Sequence, residues 1–381
     1  VHNNFENFPE NGHPERNVIG ALYVTIAHEI KHAIQYATNR WEGSAGSFDW
    51  IEMDATMMEE ILHDDVNDYY NYIKTGFDSN EPRSSSIFGS PELPIPGAYD
   101  HVTWMLYFAE QYGMDFWVDV WGQFRNNRTL PFLDAVEFSL LNRNKSLQVE
   151  HLINQLWHLS AGPLNSLSDF GFEERYQYPV SFISNTLQFI PDSLSGNNLQ
   201  ALAANYSTVE VVSSAPGQPE FMLNSSVNGV GLGVVGYFRD GSTREDFTID
   251  PSSSTQTIQT TWNWSDLQDI KIAVVNTNRS TSANYNLTVS SKIPDRDLIS
   301  QNYPNPFNPT TRIEFSVNSQ KNVRIDIFDS IGRRIQTLVN RPFTRGFHFV
   351  EFDGSSLSTG IYFYRIVTGQ ISQTRKMILI K

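Results

Sequence analysis

At 381 residues the chain is long enough for two or three domains, each with its own core, and its 40% hydrophobic and 13% aromatic content marks globular material, not a disordered tract. A formal charge of −15, from 42 acidic against 27 basic residues, repels nucleic acid and anionic membrane surfaces, so no nucleic-acid role is supported. The absence of cysteine excludes a disulfide framework, a thiol nucleophile and thiolate-ligated zinc, and no run of roughly eighteen apolar residues is present to span a bilayer as a helix.

Val1 does not open a signal peptide, and the chain begins just before its most informative helix, so a processed form or a piece of a longer protein is expected. Residues 1–16 read as a polar loop because Pro9, Gly12 and Pro14 oppose helix. His2 and His13 lie in that loop and are read as solvated, since metal ligands favour rigid elements. Beyond it, Val18, Ile19, Leu22, Ile26, Ala27, Ile30, Ala33, Ile34 and Ala37 recur at three- and four-residue spacing, which predicts a core helix.

That helix carries an H-E-x-x-H pattern at His28-Glu29-Ile30-Lys31-His32. A step of four residues puts both imidazoles on one face about one turn apart, within reach of a single zinc ion. Glu29 is then placed to accept a proton from water activated by the metal and pass it to a leaving amine. Zinc held by two histidines wants a third protein ligand and an open position. A second helix over 50–62 supplies candidates: Ile51, Ala55, Met58 and Leu62 form its apolar face, with Glu52 and Glu59 close to it. Glu52 follows His32 by 20 residues (52 − 32), enough to turn through Gly43-Ser44-Ala45-Gly46 and return, and is the expected third ligand. Glu59 is expected to accept the second ring N–H of His28 or His32, the alternative being an ordinary surface carboxylate.

The helical pattern continues to about Lys74 with Asp64, Asp65 and Asp68 on a polar face; calcium is the functional option, but no EF-type glycine spacing is present, and a solvated acidic face is expected. Residues 79–96 are rich in Ser, Pro and Gly and read as a loop. Another helix begins near Asp100, and Tyr99 or His101 at its start is a candidate to stabilise a tetrahedral oxyanion, against a packing or capping role. Further helical segments cover 116–124, 130–141 and 147–159. His151 and His158 share a face in the last, without a carboxylate companion, and read as ordinary helix residues. The helical part closes near Pro179, so a mainly α-helical catalytic domain is expected over 1–179.

From Val180 the chain reads as a β-sandwich over 180–293, with alternating runs at 207–212, 271–275 and 285–289. Within it, Gly231, Gly233 and Gly236 match the dinucleotide fingerprint G-x-G-x-x-G, but no helix follows, so a strand is expected. Within residues 294–381, Gln301-Asn302-Tyr303-Pro304-Asn305-Pro306-Phe307-Asn308-Pro309 is a proline-fixed entry to the first of about seven strands, expected as an antiparallel sandwich.

Two resemblances rest on these residues. H-E-x-x-H with a glutamate one helix later resembles the gluzincin zinc metallopeptidases. More narrowly, His28-Glu29-x-x-His32-Ala33-Ile34-Gln35, Trp50-x-Glu52-x-x-Ala55-x-x-x-Glu59 and Asp65-Val66-Asn67-Asp68-Tyr69-Tyr70 resemble secreted bacterial metalloproteases of the HEffHaiQ…WxEGxAxWxE type, over roughly 1–179. The resemblance implies a zincin-like fold and peptide hydrolysis, with a tyrosine before the later helix that corresponds to Tyr99. Three departures stand out: Ile30-Lys31 in place of an aromatic pair, Met53-Asp54 in place of Gly-Thr, and Met57 in place of a second tryptophan. The proline-rich opening at 301–309, the Gly360-Ile361-Tyr362-Phe363-Tyr364 strand and the basic last strand resemble the type A sorting domain of the type IX (Por) secretion system of Gram-negative bacteria. This implies recognition by the outer-membrane machinery and release or attachment at the cell surface. The combined expectation is a secreted zinc metalloendopeptidase acting on protein or peptide. The alternative is a non-catalytic surface adhesin on a degenerate metallopeptidase fold.

Overall fold

The computed structural model describes residues 5, 8, 10–14, 16–38, 48–73, 99, 101–162, 170–188, 191–211, 217–293, 296–369 and 371–381. His2, the turn expected at 43–46 and the loop expected at 79–96 lie outside the described residues.

Six helices of the described residues carry labels here: α1 (Asn17–Ala37), α2 (Phe48–Leu62), α3 (Val102–Tyr112), α4 (Met114–Asn126), α5 (Phe132–Leu141) and α6 (Leu147–Leu159). Helix α3 is central, because every residue from Val102 to Ala109 is buried, and a helix apolar on all sides needs partners on all sides. Aromatic rings fill the space around it: Phe108 stacks on Phe116 at 5.0 Å, and Trp50 of α2 stacks on Phe132 of α5 at 4.6 Å. Gly113, at φ 72°, sits between α3 and α4 in a conformation that glycine adopts without strain. The Ser146 hydroxyl accepts from the Val149 amide and caps α6.

Two helical expectations are corrected. Helix α1 is not a core helix: only Gly20, Ala21, Val24, Ala27 and Gln35 are buried, while Ile26, Ile30 and Ile34 are 45%, 55% and 53% exposed. Its apolar residues form more than one stripe, and the stripe of small side chains is the one that packs. The second helix stops at Leu62, and helix resumes only at residues 70–73, so the expected continuous helix is broken; Lys74 lies outside the described residues. The chain turns at 63–66, where the Val66 amide donates to the His63 carbonyl at 2.9 Å, and Asn67 adopts φ 52°.

The strands are numbered along the chain. β1 (Asn185–Leu187), β3 (Ala203–Val209), β8 (Leu267–Asn276), β5 (Val230–Phe238) and β6 (Thr243–Thr248) form one sheet in that order. A second sheet runs β2 (Asp192–Leu199), β9 (Ala283–Lys292), β4 (Gln218–Ser225) and β7 (Thr255–Gln259). Phe221, Leu223, Trp264 and Leu287 are among the side chains buried in their common core. In the C-terminal part, β10 (Leu298–Ile299), β11 (Thr310–Val317) and β14 (Gly346–Asp353) pair as one sheet, and β13 (Arg334–Phe343), β12 (Lys321–Phe328), β15 (Gly360–Thr368) and β16 (Ile371–Leu379) as another. All the ladders within these two sheets are antiparallel.

The expected fold class, a mainly α-helical zincin-like catalytic domain ahead of separate sandwiches, is overturned. Among the described residues strand exceeds helix, 38% against 28%, and the helices are not a layer to themselves. Leu152, Leu156 and Leu159 of α6 pack on Ala204, Tyr206, Val235, Ala273 and Val275 of the five-stranded sheet. The glycines of the G-x-G-x-x-G run make this possible. A Cβ on Gly231 would lie 3.0 Å from Leu152 Cδ2, and one on Gly233 would lie 2.6 Å from Leu156 Cδ2, so the bare backbone of β5 is the seat of α6. The resulting platform is mixed α and β.

Candidate metal centre

The register of α1 against α2 is set by polar side chains. Gln35, fully buried, donates through Nε2 to the Ile51 carbonyl at 3.0 Å and to Asp54 Oδ2 at 2.9 Å. Lys31 Nζ lies 3.1 Å from the same Oδ2 and 5.1 Å from the centre of the Trp121 ring. Two of the departures from the resembling pattern, Lys31 and Asp54, are thus partners: the cation of one helix answers the carboxylate of the other. Met53 and Met57 are both fully buried and join the aromatic core.

This register brings His28, His32 and Glu52 together. His28 Nε2 and His32 Nε2 are 2.9 Å apart, and Glu52 Oε2 lies 3.2 Å from the first and 3.4 Å from the second. A tetrahedral ion about 2.0–2.1 Å from each donor requires edges of about 3.3–3.4 Å, so the triangle has the size of one face of a zinc site. Two imidazoles and a carboxylate are also the donor set of catalytic zinc, with the fourth position open.

The outer ring nitrogens are already committed. His28 Nδ1 faces Glu59 Oε1 at 2.6 Å, and His32 Nδ1 faces Gln35 Oε1 at 2.7 Å. Both acceptors hold the ring proton on Nδ1 and leave the Nε2 lone pair turned to the common point. Of the two rings open to Glu59, the structure selects His28. Gln35 was missed as the partner of His32, although its i, i+3 spacing on the same face was a usable signal. Tyr99 donates its hydroxyl to Glu52 Oε2 at 2.8 Å and stacks on the His28 ring at 6.1 Å. Glu29 is exposed on α1 beside His28.

Charge is concentrated here. Burial pushes the Glu52 carboxyl up, but hydrogen bonds from His28, His32 and Tyr99 outweigh it and hold the group well below the usual carboxylate range. Burial opposes a charge on His28, yet its bonds to Glu52 and Glu59 raise it from 6.5 to about 9. His32 is raised as well, chiefly by Glu52. Burial first, and then Glu52, push the Tyr99 phenol up, so it remains a neutral donor. Protons and a cation would compete for the same two nitrogens, so any metal bound there would release protons.

The remaining histidines and acidic candidates lie elsewhere. His13 packs edge-on against Tyr23 at 5.5 Å, and His101 is buried at the start of α3. His158 and His151 are buried in α6, His158 Nδ1 donating to the Asn154 carbonyl at 2.8 Å and His151 Nδ1 accepting from Trp104 Nε1 at 3.1 Å. Asp68, expected on a solvated face, is buried and accepts from the Tyr72 hydroxyl at 3.4 Å.

Residues 301–381 match the secretion system C-terminal sorting domain. The chain is secreted or attached to the cell surface, and through this segment it interacts with the type IX secretion machinery. Among the described residues no helix is long and apolar enough to cross a membrane. No curated protein matches the sequence. Solved structures similar to parts of the chain include PorZ, a surface component of the type-IX secretion system of Porphyromonas gingivalis, at 17% identity and TM-score 0.18 over 25% of this chain and 14% of that one. Dimeric latent PorU from the same organism is 15% identical with TM-score 0.19 over 46% and 20%, and a beta-1,2-glucanase from Parabacteroides distasonis is 8% identical with TM-score 0.18 over 46% and 30%. The chain therefore spans less than a third of each of these proteins.

Proposed function

We propose that the protein is a zinc metalloendopeptidase, with His28, His32 and Glu52 as metal ligands and Glu29 as general base and acid. The observation that supports this most strongly is the 2.9, 3.2 and 3.4 Å triangle of donor atoms, with both outer ring nitrogens held by Glu59 and Gln35. When bound, zinc supplies the Lewis acidity that activates water and polarises a peptide carbonyl. Glu29 takes the proton from the attacking water and delivers it to the departing amine. Glu59 and Gln35 keep the rings aimed, and Tyr99 holds a neutral hydroxyl beside Glu52. Donating that proton to a tetrahedral oxyanion requires the Tyr99 hydroxyl to leave Glu52 Oε2. Residues 1–179 carry the chemistry in this reading, 180–293 serve as its β platform, and 294–381 direct export.

The test is zinc content together with cleavage of an unfolded protein by the full chain. One zinc per chain is expected in the wild type. His28→Ala loses the metal, and Glu29→Gln keeps it while losing cleavage. A wild-type chain that takes up no zinc ends the proposal. A zinc-loaded chain that cleaves nothing in such a screen favours the non-catalytic surface-binding alternative instead. Deleting 301–381 is expected to abolish export and to leave peptide hydrolysis intact.

A further inference from the structure

A second cluster of acidic side chains lies at the far end of α2. Glu60 stands in the last turn of that helix, Asp64 in the turn that follows, and Glu174 comes from a segment 110 residues further on (174 − 64). One carboxylate oxygen from each lies within 4.8 Å of the others. Glu60 is only 8% exposed, and its buried Oε2 has no hydrogen-bond partner. An ionised oxygen withdrawn from water in that way is costly unless something positive meets it. Asp64 also shares a side-chain hydrogen bond with the Glu60 carboxyl, and the charged neighbours that act on it are Glu174, Asp64 and Glu110, all acidic. Burial first, and then these neighbours, push Glu60 up to about 9, and burial raises Glu110 to about 7. The surroundings are also ordered: the Tyr69 hydroxyl donates to Glu174 Oε2 at 2.8 Å and lies 2.7 Å from the Tyr178 hydroxyl, while Glu110 accepts from the Glu173 amide at 2.9 Å.

We propose that Glu60, Asp64 and Glu174 form a calcium site that clamps the end of α2 to the segment around residue 174. The donors are all oxygen, without an imidazole, which selects a hard cation and disfavours zinc. Three carboxylates leave room for water to complete the roughly six to eight oxygens that calcium takes. The Glu60 carboxylate, with its buried and unpartnered Oε2, is the inner ligand, and Asp64 is the exposed one through which the ion enters. The site owes nothing to the zinc centre, since the two share no ligand.

The experiment uses the full chain, stripped of metal by chelation and reloaded with zinc. Calorimetric titration with calcium is expected to show one saturable site, weakened at least tenfold in Asp64→Asn, an exposed position where the substitution leaves the fold intact. Terbium in place of calcium is expected to luminesce on excitation of the tyrosines, Tyr69 foremost, and to lose that signal in Glu60→Gln. Calcium at ~100-fold excess over Kd should raise the wild-type Tm by at least about 4 °C. Glu60→Gln should be more stable than the wild type without calcium and indifferent to it. His28→Ala should keep the full calcium response, which separates this site from the zinc centre. A wild-type chain with no saturable calcium uptake overturns the proposal, and so does unchanged calcium affinity in both Asp64→Asn and Glu60→Gln.

Discussion

Lys31→Met should destabilise the chain by breaking the pair that sets the register of the two helices carrying His28, His32 and Glu52. The Asp54 side chain is 1% exposed and loses an ammonium at 3.1 Å, while Gln35 Nε2 remains at 2.9 Å. At an effective dielectric of ~20 the lost attraction is about 5 kcal/mol. The folded state has an escape, because Asp54 can take up a proton. At pH 7 that route costs about 1.36 × (7 − 3.8), or roughly 4 kcal/mol, which is a ceiling on the damage. Burial already raises Asp54 with Lys31 in place, so the expected loss is smaller, about 2–4 kcal/mol, or ~5–15 °C in Tm. An acid raised in the folded state contributes stability that is fully present below its unfolded value of 3.8 and is lost as pH rises through the folded value. The deficit of Lys31→Met should therefore be large at pH 7 and nearly absent at pH 4. Lys31→Met combined with Asp54→Thr removes both charges and should recover at least half of the loss. Denaturant unfolding of the metal-free chain, followed by circular dichroism at the two pH values, measures all of this without zinc affinity entering. A deficit under ~1 kcal/mol at pH 7, or one equal at both pH values, refutes the reasoning.

Glu59→Gln keeps an acceptor near His28 Nδ1 but removes the charge that holds it at 2.6 Å, and zinc affinity measured by chelator competition should fall about ten- to a hundredfold. Glu60 rises from 4.5 to about 9 on folding, so without calcium the stability it contributes is present below pH 4.5 and lost as pH climbs toward 9. Thermal melts of the chelated wild type should show that decline, and Glu60→Gln should flatten it; equal slopes contradict the assignment. Gly233→Ala places a Cβ 2.6 Å from Leu156 Cδ2 and should cost about 1–3 kcal/mol in denaturant unfolding. Adding Leu156→Ala opens the space again, and the pair should couple favourably in a double-mutant cycle.

Local spacing determined much by itself. The four-residue step from His28 to His32 puts two imidazoles on one helical face whatever surrounds them, and alternation at 323–328 forms β12 because side chains of a strand point to opposite sides in turn. The proline-rich opening at 301–309 and the strands after it made the sorting segment readable, because that signal lies in one continuous stretch. Periodicity does not say which apolar stripe will be buried, and so α1 read as a core helix while Ile26, Ile30 and Ile34 face outward. Nor does it report pairings between distant segments. Only the tertiary structure joined Lys31 to Asp54, gave Glu59 to His28 and Gln35 to His32, seated α6 on the glycines of β5, and brought Glu174 to Glu60. Each of these depends on how whole elements pack, and packing is decided by the summed burial of many side chains, which no short window of sequence contains.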